Sequence, residues 1–306
     1  MVDVSVIICT WNNCRRLEIT LESFCQCRIP EDVTWELITV ANNCTDSTRG
    51  IVEGMMNRLP LVYAEEPIQG LSRAKNAGLR KASGALVIFT DDDVHPNPGW
   101  IYTYWNAFSR QPRGFFWGGP VESDFEGPEP DPELLSKAPC SVKGLDYGPV
   151  QRQLREGEFF LSANWACPRE SFAQVGGFDV NLGLNSKLGE VSTGEETDVM
   201  FRLIQAGHRA MYLPEAKLRH FVPRSKCTCK HILSRCLAGV RSPAMVFEYR
   251  LKWLDLGPFK LGLSMHIFRR FLRFWRAKIG GRSAAKEYID LKIWIEIYKS
   301  LLRDRP

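Results

Sequence analysis

Short apolar runs alternate with amphipathic stretches through the first third of the chain. Residues 4–9, Val-Ser-Val-Ile-Ile-Cys, read as a buried strand that Thr10-Trp11-Asn12-Asn13 breaks. Over 15–27, Leu17, Leu21 and Phe24 fall on one helical face, which predicts a helix. Residues 35–41 read as a second strand, ended by a polar stretch with turn and N-cap chemistry, and 48–58 as the next helix. Strand 61–65, helix 70–82 and strand 85–89 continue the series. Strands and helices alternating over short connections predict a parallel sheet covered on both faces. Such sheets bind ligands beyond the carboxyl ends of their strands. The polar clusters 10–13, 42–46 and 91–93 all fall there, so they are expected to converge on one crevice.

Further along, 120–155 is rich in Pro, Gly and charge and reads as irregular. Ordered patterning returns over 159–167. Short helices are expected at 169–175, before Gly176-Gly177, and at 197–206, before Gly207, with a strand over 209–213. From Lys230 onward the pattern is helical, interrupted around Leu256-Gly257-Pro258 and Ile279-Gly280-Gly281.

Candidate chemistry begins at Asp91-Asp92-Asp93, directly after the apolar run Ala85-Leu86-Val87-Ile88-Phe89. Three adjacent carboxylates repel unless a cation or hydrogen bonds offset their charge. Hard cations such as Mg²⁺ and Mn²⁺ take oxygen ligands from carboxylates and phosphates. An acidic turn before Pro96 and Pro98 is the alternative reading.

Composition narrows the class. At 44% hydrophobic and 25% charged over 306 residues, the chain is globular and long enough for one large α/β domain or two smaller ones. No apolar stretch approaches the roughly 20 residues that span a bilayer, and Met1-Val2-Asp3-Val4 does not read as a signal peptide. The ten cysteines lack usual zinc spacing, with C-x-C pairs at Cys25/Cys27 and Cys227/Cys229. Cys9, Cys44 and Cys167 are expected to be buried thiols, and a reducing cytoplasm is the expected compartment.

The net charge of +5 is unevenly distributed. Residues 250–306 hold 14 Lys/Arg against 5 Asp/Glu, a balance of +9, which leaves −4 for the rest. Around Ile267–Arg276 arginines interleave with aromatics. That suits a helix on an anionic membrane surface, or one packed on the core or a partner with its arginines in water. No nucleic-acid motif accompanies the charge, so nucleic-acid binding is not expected.

Seven short motifs occur in order over about residues 3–225. They are Val6-Ile7-Ile8-Cys9-Thr10-Trp11-Asn12-Asn13, Val40-Ala41-Asn42-Asn43-Cys44-Thr45-Asp46, Gly70-Leu71-Ser72-Arg73-Ala74-Lys75-Asn76-Ala77-Gly78, Thr90-Asp91-Asp92-Asp93-Val94, Val175-Gly176-Gly177-Phe178-Asp179, Gly194-Glu195-Glu196-Thr197-Asp198 and His220. In this order they resemble the inverting glycosyltransferases of family 2. The resemblance implies a GT-A fold: α/β, with a Rossmann-like, mostly parallel sheet and flanking helices, here followed by a helical basic C-terminal region. The implied division is a GT-A domain over 1–228, with a donor half at about 1–118 and an acceptor half at about 119–228, and a helical region over 229–306.

The same resemblance implies roles. Thr10, Asn12 and Asn13 would contact the nucleoside of a nucleotide-sugar donor, with Arg73 or Lys75 near the diphosphate. Asp91 would contact ribose or sugar, Asp92 would lie beside it, and Asp93 would be the main ligand of Mn²⁺ or Mg²⁺. His220 would complete the metal shell, with Asp91 in reach. Many relatives carry a base-reading Asp where this chain has Ala41; Asn42 is the candidate substitute, and a UDP-sugar is the default donor. Glu196 would be the catalytic base that deprotonates the acceptor hydroxyl, with Glu195 a second catalytic residue that partners that hydroxyl. An acidic helix N-terminus is the alternative for that pair. Asn164, Trp165 and Asp179 would shape the sugar and acceptor pocket; a core tryptophan is the alternative for Trp165.

The expected function is metal-dependent inverting sugar transfer to a glycan or lipid-linked acceptor in cell-surface polysaccharide or glycoconjugate synthesis. The expected location is the cytoplasm, peripheral to the inner membrane face. A catalytically degenerate binding module of the same fold is the alternative. Nucleotidyl transfer is disfavoured, because the chain lacks a Gly-rich, basic N-terminal loop.

Overall fold

The apolar runs become strands whose two faces are both buried. Strand β1 (Val4–Thr10) carries Val4, Val6 and Ile8 to one side of the sheet and Ile7 to the other, and all four are buried. The chain continues through α1 (Cys14–Phe24), β2 (Trp35–Asn42), α2 (Thr48–Met55), β3 (Leu61–Glu66), α3 (Leu71–Lys81), β4 (Leu86–Asp91), β5 (Val94–Pro96), α4 (Trp100–Arg110), β6 (Phe115–Gly118) and β7 (Val121–Phe125). Then come α5 (Pro132–Leu135), α6 (Cys140–Lys143), β8 (Arg152–Gln153), β9 (Trp165–Pro168), α7 (Ser171–Val175), α8 (Glu195–Gln205), β10 (Arg209–Tyr212), β11 (Leu218–Val222), α9 (Cys229–Val240), α10 (Phe259–Ile279) and α11 (Ala285–Arg303). This computed structural model describes residues 2–183, 194–240, 259–280 and 284–303.

The large sheet has the order β3-β2-β1-β4-β9-β6-β10-β8. Its β3, β2, β1 and β4 are parallel, with Val4 beside both Trp35 and Leu86. Beyond β4 the direction reverses: β9 runs antiparallel to β4 and β6, and β10 parallel to β6. A smaller sheet, β5-β11-β7, carries the chain onward from the end of β4.

Each face of the large sheet has its own core. Leu17, Leu21 and Phe24 of α1 and Val52 of α2 pack with Val6, Ile8, Leu37 and Ile88. Ala74 and Ala77 of α3 and Val199 and Leu203 of α8 pack with Ile7, Val40, Val87 and Phe89 on the other face. Burying a large apolar side chain contributes roughly 1.5–3 kcal/mol. Gly78 lets α3 lie this close: a Cβ there would stand 2.5 Å from Ile7 Cγ2. The helix that carries Arg73 and Lys75 is thereby seated on the sheet.

The chain divides into two compact units, residues 1–124 with 144–221, and 125–143 with 222–306. In the second unit, Leu134, Val142, Ile232 and Ile289 form a small core. The buried Asp290 takes ion pairs from Lys137 at 2.6 Å and Arg270 at 2.7 Å.

Several sequence expectations change here. The helices expected over 15–27 and 48–58 end sooner, at Phe24 and Met55. The segment expected to be irregular over 120–155 holds β7, α5, α6 and β8, pinned by reciprocal 2.8 Å backbone hydrogen bonds between Val121 and Leu145. Its elements are too short to show periodicity. Cys167 is buried as expected, whereas Cys9 and Cys44 are half-buried. The interruption at Leu256-Gly257-Pro258, and Gly281 in the next one, lie outside the described residues.

Candidate functional site

Strand β4 extends through Asp91, so the three aspartates straddle its carboxyl end and the turn into β5. Thr20 of α1 fixes that turn: its hydroxyl donates to the Asp92 carbonyl at 2.9 Å and accepts from Val94 N–H at 3.1 Å. The strand expected over 209–213 is β10, and His220 lies in a further strand, β11, opposite Val94 of β5. Phe221 N–H donates to the Asp93 carbonyl at 2.8 Å. This pairing brings His220 Nε2 to 3.1 Å from Asp93 Oδ1.

One ligand atom from each of Asp91, Asp93 and His220 lies within 4.8 Å of the others. Two carboxylates and one imidazole suit a hard or borderline divalent cation. Burial and then the Asp93 charge raise the Asp91 pKa. Burial and then Asp93 push Asp92 up to about 7. A bound cation relieves that repulsion, so the donor set fits the expected metal. Asp92 itself turns aside and accepts from Asn13 Nδ2 at 2.9 Å.

The other strand ends converge as expected, but their polar groups mostly hold one another. Asn12, in the left-handed region at φ 48°, accepts from Thr45 N–H at 2.7 Å. Asp46 accepts from Cys14 N–H at 2.9 Å. Thr10 is buried at the end of β1, and its carbonyl accepts from the Cys44 thiol. Asn42 uses both amide protons on the Glu66 and Ile68 carbonyls and accepts from Gly70 N–H. It ties β2 to the entry of α3, so its side-chain polar groups are spent on backbone rather than offered to a base in place of the aspartate that Ala41 lacks. Trp11, 47% exposed beside Asn12, is the open aromatic at this edge.

Helix α8 begins at Glu195, two residues before the start expected from periodicity, so Glu195 and Glu196 occupy its first turn. The alternative reading of an acidic helix N-terminus therefore holds geometrically as well. Glu195 is 3% exposed and accepts from Lys75 Nζ at 2.9 Å; Lys75 is equally buried and also donates to Ser162 Oγ at 2.7 Å. Burial opposes the Lys75 ammonium, but Glu195, Glu196 and Asp91 outweigh it and its pKa rises. Burial likewise opposes the Glu195 carboxylate, yet Lys75 brings its pKa below the ordinary value. Glu196 shows the reverse: burial and then the Glu195 charge push it up to about 7. The pair is thus split into a fixed anion and a group poised to exchange a proton near neutrality. Gly183, at φ +98°, covers Glu195; a Cβ there would meet Ser72 Oγ at 3.0 Å and Glu195 Oε2 at 3.5 Å. Arg73, on the first turn of α3, is half-buried and makes no side-chain hydrogen bond or ion pair among the described residues.

Three expected pocket residues stand elsewhere. Asn164 is fully buried and accepts from Trp100 Nε1 and Tyr104 Oη while donating to the Pro120 and Ala216 carbonyls. Trp165 is fully buried, stacked on Phe89 at 4.8 Å. Neither presents a surface to a sugar: Trp165 is core because β9 is buried on both faces, and Asn164, just before β9, is buried with its amide spent on neighbouring groups. Asp179 is exposed, accepts from Asn181, and lines a cleft with Asn76, Phe178, Asp198 and Arg202 that none of Asp91, Asp93, Glu195 or Glu196 lines. Ser162 and Trp11 enter from the structure alone.

Known proteins are similar to this chain in sequence and in fold. The chain is 26% identical over 161 residues to the glucosyl-dolichyl phosphate glucuronosyltransferase of Haloferax volcanii, covering 52% of this chain and 50% of that one. It is 26% identical over 239 residues to the succinoglycan biosynthesis protein ExoM of Rhizobium meliloti, covering 76% of this chain and 71% of that one. The chain thus spans about half the length of the haloarchaeal relative. Among solved structures, the mannosyltransferase PcManGT of Pyrobaculum calidifontis, in complex with GDP-Man and Mn²⁺, superposes with a TM-score of 0.56 at 18% identity, covering 99% of this chain and 88% of that one. GalNAc-T7 with UDP, GalNAc and Mn²⁺ gives a TM-score of 0.56 at 14% identity, covering 78% and 48%. These likenesses show a shared GT-A fold. The profile described as "Glycosyl transferase family 2" matches residues 5–176, more than half of the sequence, and the chain belongs to that family.

Proposed function

We propose that this protein is a metal-dependent inverting glycosyltransferase that moves a sugar from a nucleotide-sugar donor to a glycan or lipid-linked acceptor. The observation that carries the reading is the meeting, at the carboxyl edge of one sheet, of Asp91, Asp93 and His220 with the Glu195–Glu196 pair. The two groups sense each other: the charges of Lys75 and Glu195 both act on Asp91.

Asp91, Asp93 and His220 would hold Mn²⁺ or Mg²⁺, which supplies Lewis-acid neutralisation of the departing nucleoside diphosphate. Arg73 adds a second cation near the diphosphate, and Trp11 offers a face on which the base can stack. Glu196 takes the proton from the acceptor hydroxyl as it attacks the anomeric carbon, with the nucleoside diphosphate leaving from the opposite side. Its pKa near 7 suits that task. Glu195, held by Lys75, which Ser162 steadies in turn, stays charged and fixes the start of α8. The names of the relatives, one for succinoglycan biosynthesis and one for a dolichyl phosphate glycoside, support a glycan or lipid-linked acceptor.

Thermal-shift measurements with UDP-, GDP- and dTDP-sugars, each with and without Mn²⁺ or Mg²⁺, test the donor. A ligand that binds only the folded protein raises the melting point by mass action. A metal-dependent shift with one nucleotide class, followed by release of that nucleoside diphosphate when an acceptor is added, is the expected result. Binding without release over a broad acceptor set points instead to the non-catalytic module.

A further inference from the structure

We propose that α10 is a membrane-docking helix that lies flat on an anionic lipid surface. The inference concerns the second unit and stands independently of the catalytic reading.

The rotation of α10 about its own axis is fixed by α11. Arg270 Nη1 pairs with Asp290 Oδ2 at 2.7 Å, and the rings of Phe274 and Tyr288 stand 5.9 Å apart. Among the α10 side chains described, those of Ile267, Arg270, Phe274 and Ala277 are half-buried, spaced as one helical face. A second stripe is apolar and open: Phe268 is 59% exposed, Phe271 42%, Leu272 38%, Trp275 41% and Ile279 82%. Counted from Phe268, these residues follow at three, four, seven and eleven positions, the spacing of a single face. The third stripe is Arg269, Arg273 and Arg276, all exposed and without an acidic partner among the described residues. Lys278 borders the apolar stripe on its other side, its ammonium 5.2 Å from the Trp275 ring. The three stripes each take about a third of the circumference at 3.6 residues per turn.

A lipid surface satisfies both open stripes together. Acyl chains receive the apolar face at the depth of the headgroup boundary, and flanking arginines reach back to phosphates. No described helix is long and apolar enough to cross a membrane, so the helix rests on the surface. A second copy of the chain fits less well. Pairing two apolar stripes about a two-fold axis sets cations against cations on both flanks, whether the helices run parallel or antiparallel. Nucleic acid would use the arginines but leave Leu272 and Ile279 in water, since neither can stack on a base.

Flotation of the full-length protein with vesicles of phosphatidylcholine, with and without phosphatidylglycerol, tests the proposal. The protein is expected to float with the anionic vesicles and to release as salt is raised. Phe271→Ser with Trp275→Ser, and separately Arg269→Glu with Arg273→Glu, should each weaken this binding about tenfold or more. Both pairs are exposed, so helical content by circular dichroism should not change. Tyr102→Ser, an exposed aromatic of the other unit, should float like the parent. Equal flotation with neutral vesicles overturns the proposal, as does flotation that survives both double substitutions. So does a dimer in sedimentation that the Phe271/Trp275 pair breaks while the parent binds no vesicles. Capture of single-stranded RNA that resists the apolar substitutions and replaces vesicle binding overturns it as well.

Discussion

At the end of β4, Asp91 and Asp93 share an imidazole, His220, and burial and then the Asp93 charge raise the Asp91 pKa. At the start of α8, Glu195 faces a buried ammonium, Lys75, and its pKa falls. Both clusters sit at the same edge of one sheet, and both gather carboxylates where burial disfavours charge. The first is the site proposed for an added cation; the second carries its cation in the fold. On the proposed function, a carboxylate of the first cluster should be dispensable for folding and required for activity, whereas the cation of the second, Lys75, is paired within the fold.

The largest test of that contrast is Asp93→Ala. It should lower kcat/KM by roughly three orders of magnitude or more, about 4 kcal/mol of transition-state stabilisation. Unfolding free energy should change by less than about 1 kcal/mol, because a repelling carboxylate is removed. Activity at saturating Mn²⁺ and calorimetric Mn²⁺ binding read the first effect, and urea titration the second. Retained activity would remove Asp93 from the metal site.

Lys75→Met makes the opposite change. It leaves Glu195 buried and unpaired, and breaking a buried pair from one side costs about 3–5 kcal/mol. Adding Glu195→Gln removes the stranded charge and should restore most of the loss in a double-mutant cycle. If the two substitutions add independently, the pair is not the structural unit described here. Glu196→Gln should come next, lowering kcat roughly a hundredfold or more while donor-induced thermal shifts stay unchanged. A fully active Glu196→Gln beside an inactive Glu195→Gln would move the base by one residue.

The halves of this arrangement were unequally legible in the sequence. Strands β1 to β4 and the helices between them can be read locally, because each carries its own apolar run and polar stop. The Asp91–Asp93 turn is equally local, and only the pairing of His220 with Val94 needs tertiary structure. The Lys75–Glu195 contact joins residues 120 positions apart, and no pattern in either helix announces it. Asn164 and Trp165 show the same limit from the other side. The family resemblance implies a pocket role for both, yet Trp165 is core because β9 is buried on both faces, and Asn164 just before it is fully buried. The antiparallel insertion of β9 between β4 and β6 likewise depends on long-range pairing.

The pH dependence is the smallest effect and the most specific to the split between Glu195 and Glu196. Burial and then the charge of Glu195 bring Glu196 to about 7, and a general base works only when deprotonated. Turnover should thus fall about tenfold for each pH unit below the apparent pKa and level off above it. Stability should move the other way. Between the ordinary value of 4.5 and about 7, the folded protein holds a proton on Glu196 that the unfolded chain releases, so this group lowers stability as pH rises through that window. Glu195, with its pKa depressed, adds stability above its ordinary value that is lost as pH falls through its folded pKa. Lys75→Met removes the cation that favours both anions, so the apparent pKa of turnover should rise above the parent's. A profile that keeps its midpoint in that variant, while its stability falls, would make Lys75 a structural cation only and leave the base to be found elsewhere.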